Sequence, residues 1–276
     1  MRQLEDAQAD ASVARESWIT VACLGILAGA LADVTHEVLG HTTVALLAGD
    51  HVTLLSSVGM QTRGEPDRLM SAAGTGANLL VGTATMLFLH QRPRAPTDAG
   101  AYFLLLFAVF NLFNAAYLVF SGLLQQGDWA TVIAGLSPLW LWRGLLVLAG
   151  VVLYRAATLW AGRVLASRFS TRGITRGQLH KLLLVPYLSA AVVMIAASIF
   201  NPFTRNLILI SGVGASLGIN WGLLRAGSRV LTGPGEASRA NNPVKLVWVA
   251  AALIVGGLFV AVLGPGICLD CTVSQR

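Results

Sequence analysis

Charge is scarce in this chain. Asp, Glu, Lys and Arg make up only 12% of 276 residues, hydrophobic residues make up 55%, and mean hydropathy is +0.68. That balance excludes an ordinary soluble multi-domain protein. Cysteine is scarcer still, with three in all. Cys23 falls in an apolar stretch and reads as inert packing, whereas Cys268 and Cys271 form a terminal C-L-D-C. Without a second such pair the motif excludes a zinc ribbon and leaves a disulfide if the tail faces an oxidising compartment. Five histidines are too few for the His-rich membrane hydroxylases. No short apolar core precedes a small-residue cleavage site. The first 17 residues are polar, with Glu5, Asp6, Asp10 and Glu16 beside Arg2 and Arg15, so the first span is expected to act as its own uncleaved signal. No solenoid repeat is visible.

What the chain has in abundance is long apolar runs. They predict an all-α fold, a polytopic transmembrane bundle of about seven spans at residues 18–48, 69–90, 101–124, 138–158, 182–200, 207–224 and 244–263. These approach or exceed the ~20 residues that cross a ~30 Å hydrocarbon layer. The expected organisation is a polar tail at 1–17, a three-helix core at 18–130 and additional helices with a tail at 131–276. Pro93, Pro96 and the Gly, Pro, Ser and Asn of 225–242 mark aqueous connections. A pI of about 9.8 records orientation in lipid rather than nucleic-acid binding. Of 19 Lys and Arg, fourteen fall on the side of the N-terminal tail and four on the other (Arg63, Arg68, Arg205, Arg276), with Arg143 inside a span. The expectation is an integral protein of the bacterial inner membrane, N-terminus cytoplasmic and C-terminus external. Gly214, Gly218 and Gly222 form two overlapping GxxxG steps, suited to packing within the bundle or to a homodimer.

One span breaks the apolar rule. In ALADVTHEVLGHTTVALLAG, residues 30–49, Asp33, His36, Glu37 and His41 interrupt Leu, Val, Ala, Thr and Gly. Ionisable groups at membrane depth are costly and mark function by default. Imidazoles and carboxylates are metal ligands, and a carboxylate beside a metal is a proton acceptor for its water. Spacing leaves two groupings open. In the zinc motif H-E-x-x-H the histidines are four apart and share a face, but histidines five apart diverge by about 140° on a regular α-helix. A π-bulge would bring them into line, and such bulges occur mostly at functional sites; Gly40 makes the distortion cheaper. A regular helix instead aligns Asp33, Glu37 and His41 at successive four-residue steps, with Asp33 as the alternative metal ligand.

Two further segments supply partners. SAAGTGANLLVG, residues 71–82, opens the second span with small residues and buries Asn78. FNLFNAAYLVFSGLLQQGDWA, residues 110–130, carries Asn111 and Asn114 and ends just past Asp128. The first and third spans run in the same direction, so Asp128 can reach the histidines. H-E-x-x-x-H, A-A-G-x-x-A-N and N-L-F-N followed by G-D together resemble the intramembrane zinc metalloproteases of the site-2 protease class, over residues 18–130. The resemblance implies Zn2+ held by His36, His41 and Asp128, with Glu37 as the catalytic residue that activates water. It implies Asn78 and Asn114 positioning a substrate strand, and a transmembrane protein as substrate. The chain departs from that pattern in the extra residue of its motif, in G-D-W where L-D-G is usual, and in Gly74-Thr75-Gly76 where Gly-Pro is frequent. The family carries its zinc near the cytoplasmic side. Here the charge count puts His36 about 27 Å along a helix that starts inside, so either the site opens outward or the span count errs.

Two other classes fit the same residues. A membrane metalloenzyme acting on lipid would use Asp33, Glu37 and His41 with iron or two metals. A family relative without catalysis would bind or escort membrane proteins, or transport with the carboxylates as proton carriers. Metal content separates these readings. His51 reads as a solvated loop residue, His90 and His180 as interfacial, Asn220 and Trp221 as packing and anchoring, and Arg143 as snorkelling or paired with a carboxylate.

Overall fold

The computed structural model describes residues 17–64, 67–91, 99–169, 175–228, 230 and 243–270. Most of the polar tail, the loop holding Pro93 and Pro96, and Cys271 lie outside them. Among the described residues the chain runs α1 (Trp18–Leu47), β1 (Val52–Ser56), β2 (Gly59–Thr62), α2 (Arg68–Gln91), α3 (Ala99–Leu124) and a short α4 (Asp128–Ile133). It continues with α5 (Leu139–Phe169), α6 (Arg176–Ile199), α7 (Ile208–Gly227), α8 (Leu246–Leu263) and β3 (Ile267–Cys268). All but α4 are helices long and apolar enough to cross a membrane, seven in number. Helix α5 continues well past the predicted end near residue 158, because Ala, Leu and Arg after Arg155 are good helix formers whether in lipid or water.

Apolar side chains cover the outside as well as the inside. Leu80, Trp140, Val192, Leu246 and Leu253 are all exposed, a surface that water penalises and lipid accepts. In the largest interior cluster Leu24, Met86, Leu106, Phe113, Leu165, Leu182 and Leu223 interlock. Helix α1 packs against α3, α6 and α8. Gly25 and Gly29 let α1 close on α6, where a Cβ at Gly29 would stand 2.8 Å from Ala190 Cβ; small residues at four-residue spacing permit such contact in lipid.

A three-stranded sheet, order β2-β1-β3, lies at the far end of α1. Its strands are too short, and β3 too distant in sequence, for local periodicity to announce them. Antiparallel pairing of β3 on β1 ties the C-terminal end of α8 to that of α1, so both ends share one face of the bundle. The α3–α5 connection with α4 lies there too. Cys268 in β3 is disulfide-bonded, and Cys23 is a free, buried thiol. The glycine stripe of α7 is split. The helix is a π-helix over Ile208–Gly218 and tightens to 3-10 over Ile219–Trp221. Gly214 and Gly218 therefore face outward, while Gly222 packs inward on Phe113 and Tyr154.

Candidate metal centre

Helix α1 changes character halfway. Trp18–Val34 is a regular α-helix, and Thr35–Thr42 is a π-helix. In the wider turn, side chains five apart stack, so His36 and His41 point the same way. Threonine hydroxyls stitch this segment to its own backbone: Thr42 Oγ1 donates to Glu37 O at 2.8 Å and Thr43 Oγ1 to Val38 O at 3.0 Å. Gly40 lets the π segment touch α2, since a Cβ there would lie 2.5 Å from Gly74 Cα. Gly74 in turn leaves room beneath the rings, where its own Cβ would stand 2.4 Å from His41 Nε2 and 2.6 Å from His36 Nε2. Sequence reasoning gave Gly74 no place in the site; the only signal was the small-residue opening of the second span.

Each imidazole is fixed from behind. Asn78 Nδ2 donates to Ala32 O and Asn111 Oδ1, both at 2.8 Å, so the atom left to face His36 is the acceptor Oδ1. His36 Nδ1–H donates to it at 2.7 Å. His41 Nδ1–H donates to Met70 O at 2.7 Å, a carbonyl that can only accept. Both Nε2 atoms are thereby turned forward, as in metal-binding histidines whose second nitrogen is held by an outer partner. Tyr117 stacks on His36 with ring centroids 5.7 Å apart.

Helix α4 delivers the third group. Trp129 Nε1 donates to Thr75 Oγ1 at 3.0 Å and pins α4 to α2. Asp128 Oδ2 then lies 3.2 Å from His36 Nε2 and 3.3 Å from His41 Nε2, and the two Nε2 atoms are 3.2 Å apart. A tetrahedron with metal–ligand bonds of ~2.0–2.1 Å has edges of roughly 3.3–3.4 Å, so the triangle matches that geometry. With both Nδ1 positions protonated, three acceptors converge and positive charge, proton or metal, must lie among them. Burial alone would raise the Asp128 carboxyl; its contacts with the two histidines outweigh burial and hold it below the ordinary carboxylate range, so it stays anionic. His36, His41 and Asp128 form a group able to hold a metal ion.

Glu37 is buried beside this group, and its Oε2 has no hydrogen-bond partner among the described residues. It lines a cavity of about 510 Å3 together with His41 and Asp128. Gly59, Met60, Gln61 and Thr62 of β2 line the same cavity. Asp33 does not join: it lines a separate chamber with Asn114, because the π turn displaces it from the Asp33-Glu37-His41 alignment of a regular helix. Asn78, read as a substrate-positioning residue, is fully buried with both ends of its amide engaged, which assigns it to His36. Asn114 faces the separate chamber rather than the cavity. His51, His90 and His180 are exposed. Arg143 bonds the carbonyls of Gly122 and Leu123, both at 2.8 Å, in place of a carboxylate. Comparison with protein-family models, curated proteins and solved structures finds no match to this chain.

Proposed function

We propose that the chain is an intramembrane zinc metallopeptidase of the site-2 protease type, hydrolysing peptide bonds of transmembrane substrates. The observation that carries this reading is the triangle of His36 Nε2, His41 Nε2 and Asp128 Oδ2, 3.2–3.3 Å on a side. Its three residues are the ligands for the ion. Zinc held there would supply a Lewis acid and lower the pKa of a water to about 7. Glu37, which lines the cavity and whose Oε2 has no hydrogen-bond partner among the described residues, accepts the proton of the attacking water and passes it to the leaving amine nitrogen. Asn78 and the Met70 carbonyl keep both rings in the ligating tautomer.

The cavity wall favours peptide over lipid. Strand β2 is an edge of the sheet, and no described strand pairs with its outer side. An unwound, extended substrate can hydrogen-bond along such an edge with its backbone, which places its peptide bonds near Glu37. The disulfide at Cys268 lies on the same face as the centre and suits an oxidising compartment. Together with the Lys and Arg asymmetry it supports a cytoplasmic N-terminus, with the centre and the C-terminus on the external side of a bacterial inner membrane.

Full-length protein purified in detergent is expected to hold about one zinc per chain, lost in His36→Ala and in Asp128→Ala. Glu37→Gln keeps the metal and lowers cleavage of single-span reporter peptides by about 10²–10⁴-fold. Metal-free wild-type protein, or cleavage that Glu37→Gln leaves unchanged, overturns the reading.

A further inference from the structure

A second chamber, of about 50 Å3, lies inside the bundle, walled by Asp33, Asn114, Tyr117, Ser216, Ile219 and Asn220 among others. It shares no lining residue with the cavity at the metal centre. Three of the four helices that wall it leave regular α geometry beside it, and Met194 of α6 completes the wall. Helix α1 widens at Thr35, two positions after Asp33. Helix α3 is interrupted at Asn114 and Ala115, where the Asn114 amide donates three residues back to Asn111 O at 3.1 Å. Helix α7 passes from π to 3-10 geometry across Gly218 and Ile219. Backbone of this kind is tolerated at membrane depth where it lines a cavity, and interrupted helices are where transport proteins hold small cations.

The side chains in the chamber lack something positive. Asp33 Oδ2 and Asn114 Oδ1 are buried acceptors with no hydrogen-bond partner among the described residues. No described Lys, Arg or His forms an ion pair with Asp33. Ser216 Oγ–H donates to Gly212 O, which leaves its oxygen lone pairs unused. A water molecule would bridge the two orphan oxygens but would not neutralise a carboxylate, and an isolated charge at this depth is expensive.

We propose that this chamber binds one sodium ion, with the Asp33 carboxylate as charged ligand and Asn114 Oδ1 as a neutral one. The chemistry is that of a hard cation, since the polar side chains lining the chamber are those of Asp33, Asn114, Tyr117, Ser216 and Asn220 and no histidine lines it. A single carboxylate matches a single charge. A chamber of about 50 Å3 has room for an ion and accompanying water, a water needing only ~10–15 Å3 of probe-occupied volume. The proposal stands independently of the peptidase reading.

The test is equilibrium binding of radioactive sodium to full-length protein in detergent micelles. Saturable binding is expected to approach one ion per chain and to be displaced by unlabelled NaCl, but not by choline chloride at equal ionic strength. Asp33→Asn, close to isosteric, abolishes it, and Asn114→Ala weakens it by about tenfold, the scale of one lost neutral ligand. The metal content of the His36, His41 and Asp128 centre stays at the wild-type level in both variants, so failure at one site is distinguishable from failure at the other. If the wild type binds no more sodium than Asp33→Asn does, a proton neutralises Asp33, the chamber holds water, and the proposal is wrong. Equal displacement by choline overturns it as well.

Discussion

The two halves of α1 solve opposite problems within one continuous helix. Trp18–Val34 buries Val21, Leu24, Leu27 and Ala28 in regular α geometry. Thr35–Thr42 buries Thr35, His36, Glu37, His41 and Thr42 in a wider turn. The first half satisfies its backbone internally and needs only close neighbours, which Gly25 and Gly29 provide against α6. The second half carries groups whose burial is costly unless each finds a partner, and the imidazoles find theirs on α2 and α4. One extra residue per turn is therefore not a defect to be tolerated. It converts a spacing of five, which a regular helix would splay, into a pair of rings on one face.

The comparison breaks most completely at Gly74. Gly74→Ala places a methyl 2.4–2.6 Å from both Nε2 atoms, inside the space an ion would take, while leaving the regular half of α1 untouched. The expected outcome is loss of essentially all bound metal, with thermal unfolding lowered by the ~1–3 kcal/mol typical of overpacking. Metal analysis alongside a melting curve reads both. Retained metal would mean that the rings lie elsewhere.

Asn78→Ala is expected to have the next largest effect. Without Asn78 Oδ1, His36 loses the bond that fixes its tautomer, and outer partners of this kind are worth about 10–100-fold in metal affinity. Competition with a chelator measures it, and an unchanged affinity would remove Asn78 from the centre. The same residue shows where the sequence stops being legible. Hydropathy alone located the seven spans, and the cost of burying His36, Glu37 and His41 singled out α1. The G-D turn at the end of the third span brought Asp128 into consideration. The role of Asn78 was not readable, because its partners are His36, Ala32 and Asn111, on two other helices. Nor was the sheet, whose strand β3 waits more than two hundred residues for β1. Spacing left Asp33 and His36 as rival ligands, and backbone geometry, which no side-chain pattern encodes, separated them.

Gly29→Ala tests the apolar half. Its Cβ would meet Ala190 Cβ at 2.8 Å, so α1 and α6 must part slightly, at a cost of about 1–3 kcal/mol in stability. Metal content should stay at the wild-type level, the reverse of the Gly74→Ala pattern. A matching loss of metal would show that the halves of α1 move as one rigid unit rather than as two independent segments.

The smallest effect belongs to the hydroxyls of the π segment. Thr42→Val keeps the shape of a buried side chain and removes the donor to Glu37 O. A bond of this kind contributes about 0.5–1.5 kcal/mol net, and Thr42 is buried, so no solvent replaces it. Thr43→Val removes the equivalent bond to Val38 O from an exposed position, where solvent or lipid headgroups replace part of it, so its cost should be lower. If Thr42→Val lowers stability and weakens metal binding more than Thr43→Val does, the hydroxyls help hold the wide turn open. If neither substitution matters, contact between Gly40 and Gly74 imposes the π geometry alone, and the threonines only follow it.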